Sequence, residues 1–96
     1  MRTIIVDPDH MGYAEVVDIL YVTFSDYSLN GTMSQIEDVG PYISVFYGMD
    51  GSLVGIEFYD FIAKFGKPPM KLLIPARDPF YVEIPALSAK PALATI

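Results

Sequence analysis

The chain has 96 residues, 52% of them hydrophobic, a mean hydropathy of +0.36 and a formal net charge of −6. That length makes one small domain and leaves little room to hide so much apolar surface, which points to a subunit interface as its destination. With no cysteine, disulfides and thiolate metal sites are excluded. No uncharged run reaches the roughly 18 residues of a membrane helix, and no cationic start leads into an apolar leader, so a cytoplasmic protein is the expectation.

The charge is unevenly spread. Residues 1–63 hold ten acids and one base, while residues 64–96 hold two acids and five bases. The acidic part would repel nucleic acid and anionic membrane, and the basic part is too sparse for a nucleic-acid arm. The expectation is that the basic tail lies on the acidic body, its own or a neighbour's.

Thr3 to Val6 reads as a short strand. Asp7-Pro8-Asp9-His10-Met11-Gly12 reads as a turn, because proline fixes φ, aspartate bonds its own backbone and glycine accepts positive φ. Tyr13 to Val17 leads into the strand on which the fold is centred, Asp18 to Asp26. In that strand Ile19, Tyr21 and Thr23 face one way and Leu20, Val22 and Phe24 the other. A sheet with one wet face would alternate with polar residues; here both faces require cover. Asn30-Gly31 is a tight-turn signal, and Met33 to Val39 is polar enough for a sheet edge.

Tyr42 to Tyr47 and Leu53 to Tyr59 form a hairpin around Asp50-Gly51. Asp60 to Phe65 reads as a single helical turn, capped by Asp60 and ended by Gly66 and Pro68-Pro69. Its Phe61, Ile62 and Phe65 make one apolar stripe. Met70 to Ile74 and Phe80 to Ile84 are strand-like, and each is followed by a proline, which predicts edge strands or extended arms. Ala86 to Ile96 has no clear period and is expected to be loose or ordered by contact.

Tyr13, Asp18, Leu20-Tyr21-Val22, Phe24 and Ser25-Asp26, followed by Asp50-Gly51, Val54 and Gly55-Ile56-Glu57, resemble the small proteins grouped as domain of unknown function 2283. The resemblance covers about residues 13–65 and implies a β-rich fold closed by a short helix; it carries no activity. Two features depart from the pattern. Ala14-Glu15 stand where an Asp-Pro turn is usual, and the tail after Gly66 is longer.

The expected architecture is therefore mainly β (α+β). It is a small antiparallel sheet of four to five strands built from hairpins, with one short helix. Residues 1–66 form the core domain and residues 67–96 an extended C-terminal arm, part of the same single domain or a subunit contact.

Three polar residues are candidates for chemistry. His10 sits between acids on a turn and could serve as a base or ligand, although such a turn is more often solvated and its spacing matches no metal motif. Glu57 interrupts an apolar strand; it is read as pairing with a base from the tail or, with Asp18, as a carboxylate pair. No cofactor or metal is implied. The residues expected at an interface are Ile19, Tyr21, Phe46, Tyr59, Phe80 and Tyr81, since tyrosine is enriched there. The leading functional expectation is a non-enzymatic module that self-associates as a homodimer or higher. The alternatives are a small regulator binding another protein through its arm, and an enzyme using Glu57 with Asp18 or His10.

Overall fold

The computed structural model describes residues 1–24 and 33–87. The expected Asn30-Gly31 turn and the end of the tail lie outside them. The chain runs β1 (Thr3–Ile5), a single 3-10 turn (Pro8–His10), β2 (Met11–Ala14), β3 (Ile19–Thr23), β4 (Met33–Asp38), β5 (Ile43–Gly48), β6 (Leu53–Tyr59), α1 (Phe61–Phe65), β7 (Met70–Ile74) and β8 (Phe80–Ile84). The strands build two sheets, one of order β2-β3-β6-β5-β4 and one of order β1-β8-β7. The mainly β expectation holds.

The five-stranded sheet is antiparallel throughout. Its hairpin turn forms where Asp50-Gly51 predicts it. Gly51 donates to the Gly48 carbonyl at 3.0 Å and has a φ of 82°, a left-handed conformation open to glycine. Asp50 Oδ1 fixes the turn by accepting from the backbone N–H of Ser52 at 2.9 Å. β4 lies at the sheet edge, as its polar sequence predicts.

The structure differs from expectation at β8. The segment read as an arm supplies β7 and β8, and β8 is internal, not an edge. β1 pairs parallel to it on one side and β7 antiparallel on the other. The prolines do not prevent this, because Pro75 and Pro85 fall one residue beyond β7 and β8, where no ladder donor is needed.

Alternation then decides the packing. Leu20 and Val22 of β3, Ile43 and Val45 of β5, and Ile56 and Phe58 of β6 turn inward to meet Ile74, Phe80, Val82 and Ile84 in one buried cluster. The tail therefore lies on the body through apolar contact more than through charge. Among the described residues, four of the five Lys and Arg side chains sit over aromatic rings: Arg2 over Phe80, Lys64 over Tyr42, Lys71 over Tyr81 and Arg77 over Tyr47.

The helix closes one end of the sandwich. Phe61 is fully buried and meets Phe58, Phe65 and Tyr13 ring to ring, with centroids 5.6, 6.0 and 6.3 Å away. Its expected cap, Asp60, makes no side-chain cap bond and has a φ of 51°. Asp18 caps it from 44 residues upstream, accepting from the N–H groups of Ile62 at 2.9 Å and Ala63 at 3.2 Å. Among the described residues no helix is long and apolar enough to cross a membrane.

Candidate interaction faces

Each sheet has an outer face that the rest of the described chain leaves uncovered. On the five-stranded sheet, β3 presents Ile19, Tyr21 and Thr23; β6 presents Gly55, Glu57 and Tyr59; β5 presents Ser44 and Phe46; and β4 presents Ile36 and Asp38. Tyr21 is 41% exposed and Ile36 60%. The register sets Tyr21 and Ser44 on either side of Glu57, and Thr23 and Phe46 on either side of Gly55.

Gly55 shapes this face. A Cβ there would stand 2.6 Å from the Val22 carbonyl oxygen, so β6 can approach β3 this closely only without a side chain. The missing side chain leaves a notch of about 110 Å³, walled by Tyr21, Thr23 and Phe46 with Glu57 at its margin. Glu57 Oε1 accepts the Tyr59 hydroxyl at 2.8 Å, where a base from the tail was expected. Next to it Ser44, itself buried, donates to Asp38 Oδ1 at 2.7 Å. Burial first, then the Glu57 carboxylate, pushes the Tyr59 hydroxyl upward, against a lowering contribution from Ser44. The face thus carries two carboxylates and five aromatic or aliphatic side chains, and no base lines the notch.

The outer face of the three-stranded sheet is different in kind. β1 presents Thr3 and Ile5, β8 presents Tyr81 and Glu83, and β7 presents Lys71 and Leu73. Ile5 is 73% exposed and Leu73 47%. Lys71 and Glu83 are cross-strand partners, and Ile5 stands opposite Glu83 on its other side. Lys71 Nζ rests 4.9 Å from the Tyr81 ring centre. A groove of about 430 Å³ runs past Ile5, Pro69, Met70, Lys71, Glu83 and Pro85. This face holds one acid and one base.

The three candidates for chemistry do not converge. Asp18 stands at the β2–β3 turn, where its carboxylate also accepts the Tyr13 hydroxyl at 2.6 Å. That bond and the helix amides hold Asp18 below the usual carboxylate range, and the same bond, with burial, pushes Tyr13 up to about 12. His10 is exposed at the opposite end of the β2–β3 hairpin, and its carbonyl accepts from Thr23 Oγ1 at 3.1 Å. Glu57 lies on the outer face with Tyr59. Among the described residues no group of three or more His, Asp or Glu side chains could hold a metal ion.

Of the expected interface residues, Ile19, Tyr21, Phe46 and Tyr59 share the outer face of the five-stranded sheet, and Tyr81 lies on the other outer face. Phe80 is a correction. It is only 1% exposed, because odd and even positions of β8 face opposite ways and its ring turns into the core against Phe24.

A latch between the two sheets was not foreseen. Glu37 accepts the Tyr47 hydroxyl at 2.7 Å and the Arg77 backbone N–H at 3.0 and 3.3 Å, tying the edge of one sheet to the β7–β8 loop of the other. The Tyr47 bond, aided by Arg77, holds Glu37 below the usual carboxylate range, and burial with the Glu37 bond pushes Tyr47 up to about 12. One signal for it existed: Glu37 sits at an inward position of β4 while Ile36 points out.

A family model described as "Protein of unknown function (DUF2283)" matches residues 10–61, more than half of the chain, and the chain belongs to that family. The match takes in the whole five-stranded sheet and ends at the first residue of α1; β1, β7 and β8 fall outside it. No curated protein and no solved structure matches significantly.

Proposed function

We propose, for this member of a family of unknown function, that the chain is a non-enzymatic interaction module that self-associates through the outer face of its three-stranded sheet. The observation that carries this is the pairing of exposed Ile5 and Leu73 with one base and one acid side by side, Lys71 and Glu83. A two-fold axis lays a surface on itself, so every residue must tolerate its own copy. A face holding both charges can set each Lys71 against the copy's Glu83 while Ile5 and Leu73 lose their contact with water. The other outer face would bring carboxylates together.

The test is a charge exchange read by sedimentation equilibrium. Lys71→Glu alone and Glu83→Lys alone each weaken association, since each sets like charges against each other across the axis. An equimolar mixture of the two variants restores it, because both contacts become attractive. A wild-type chain that stays monomeric at all concentrations, or variants that associate as the wild type does, ends the proposal.

The enzyme reading lacks a shared site for Glu57, Asp18 and His10. The regulator reading loses residues 70–84, which are built into the second sheet.

A further inference from the structure

The notch over Gly55 lies on the face that self-association leaves free. It combines three features that call for one kind of occupant. Its walls are largely aromatic: Phe46 of β5 and Thr23 of β3 flank Gly55, and Tyr21 of β3 stands beside Glu57, the next residue of β6 on the same face. Its margin carries Glu57, of which one oxygen holds the Tyr59 hydroxyl. No base lines it, and it opens on a body where residues 1–63 hold ten acids against one base. Lys64 Nζ rests 5.0 Å from the ring centre of Tyr42, four residues before Phe46.

We infer that the notch is a docking site for an arginine side chain carried by a second protein with a basic surface. A guanidinium is planar and weakly hydrated, so it stacks on an aromatic face while its N–H groups reach a carboxylate. The notch of about 110 Å³ has room for that group and part of its stem. The excess of acid around it draws in a basic partner and repels an acidic one. The occupant is not a copy of this chain docked on the same face, because that face offers carboxylates and no base at its centre.

The experiment follows backbone amide shifts of the full-length protein while Nα-acetyl-arginine amide is added. In parallel, Nα-acetyl-citrulline amide, its uncharged near-isostere, is added to a second sample. Saturable shifts at Tyr21, Thr23, Gly55 and Glu57 are expected with the arginine probe. Glu57→Gln, which still accepts from Tyr59, should weaken binding about tenfold or more, the effect of losing one charge-assisted hydrogen bond. Tyr21→Ala should weaken it in a chain that still unfolds in one cooperative transition. Equal shifts with citrulline, shifts scattered away from the notch, or a Glu57→Gln variant that binds as the wild type does would overturn the inference. So would shifts of the same four amides on diluting the protein alone, which would assign the notch to a copy of this chain. Because the charge exchange at Lys71 and Glu83 acts on the opposite face, either result stands without the other.

Discussion

The two sheets reach one core by different routes. The five-stranded sheet is built largely from hairpins, β2-β3, β4-β5 and β5-β6, with Gly51 turning the last and Gly55 allowing β3 and β6 to close together. The three-stranded sheet gathers the first strand of the chain and two of the last, and sets β1 parallel to β8. Within it β7 and β8 are joined as a hairpin, but β1 comes from the other end of the described chain. They are drawn together by the inner face of the larger sheet, which needs an apolar cover. The outer faces also diverge: the larger is acidic and notched, the smaller charge-balanced. A sheet that its own turns define needs a cover on one face only.

The sharpest way to break this comparison is to remove the cover. Ending the chain after Gly66 deletes β7 and β8 and wets Leu20, Val22, Ile56 and Phe58. It also discards Ile74, Phe80, Val82 and Ile84, each contributing about 1.5–3 kcal/mol when fully buried. Their total is comparable with the whole margin of about 5–15 kcal/mol that a domain possesses. Loss of a cooperative thermal transition by circular dichroism is expected. A truncated chain that melts cooperatively as a monomer would show that the five-stranded sheet needs no partner layer.

A smaller effect is expected at Gly55→Ala. The added methyl meets the Val22 carbonyl, a backbone atom that cannot swing aside. A loss of about 1–3 kcal/mol in urea unfolding follows from such overpacking. The same change at Gly12 has open space around it and should cost far less. Equal losses at the two positions would mean that the close approach of β3 and β6 is unimportant.

The smallest effect concerns the latch between the sheets. Glu37 is held below the usual carboxylate range in the folded state, so its contribution is present above that range and fades as pH falls through it. Tyr47 is raised from about 10 to about 12, so its contribution is present below pH 10 and is lost as pH climbs towards 12. Tyr47→Phe should flatten the alkaline limb of a stability–pH profile and Glu37→Gln the acid limb. Each should cost no more than about 1 kcal/mol at neutral pH, since the site is partly screened by solvent. An unchanged profile in both variants would remove the latch as a link between the sheets.

Much of the fold could be read before the structure was seen, and the reason is local. Period-two patterning found the strands, and Asp50-Gly51 found the hairpin turn. The polar Met33–Asp38 segment announced an edge, and Gly66 with Pro68-Pro69 ended the helix. The candidate site was less legible. Glu57 stood out as an acid in an apolar strand, but its partner Tyr59 is two residues away on the same face, where a distant base seemed the better match. The interface set placed Phe80 outside because strand parity cannot say which parity faces the core. Asp18 looked like chemistry because nothing in its surroundings announces a helix 44 residues later.

What the amino acids settle unaided are properties that a residue carries with it or shares with near neighbours: strand period, turn chemistry, the absence of thiols, the uneven charge. Only the three-dimensional arrangement decided that β8 is internal, that Asp18 caps α1, and that Glu37 ties the sheets together. It also decided that Gly55 must be glycine, because Val22 approaches it from another strand. Those outcomes depend on which surfaces meet across long separations in the chain. That meeting is governed by burial of apolar area, which has no direction and leaves no local signature.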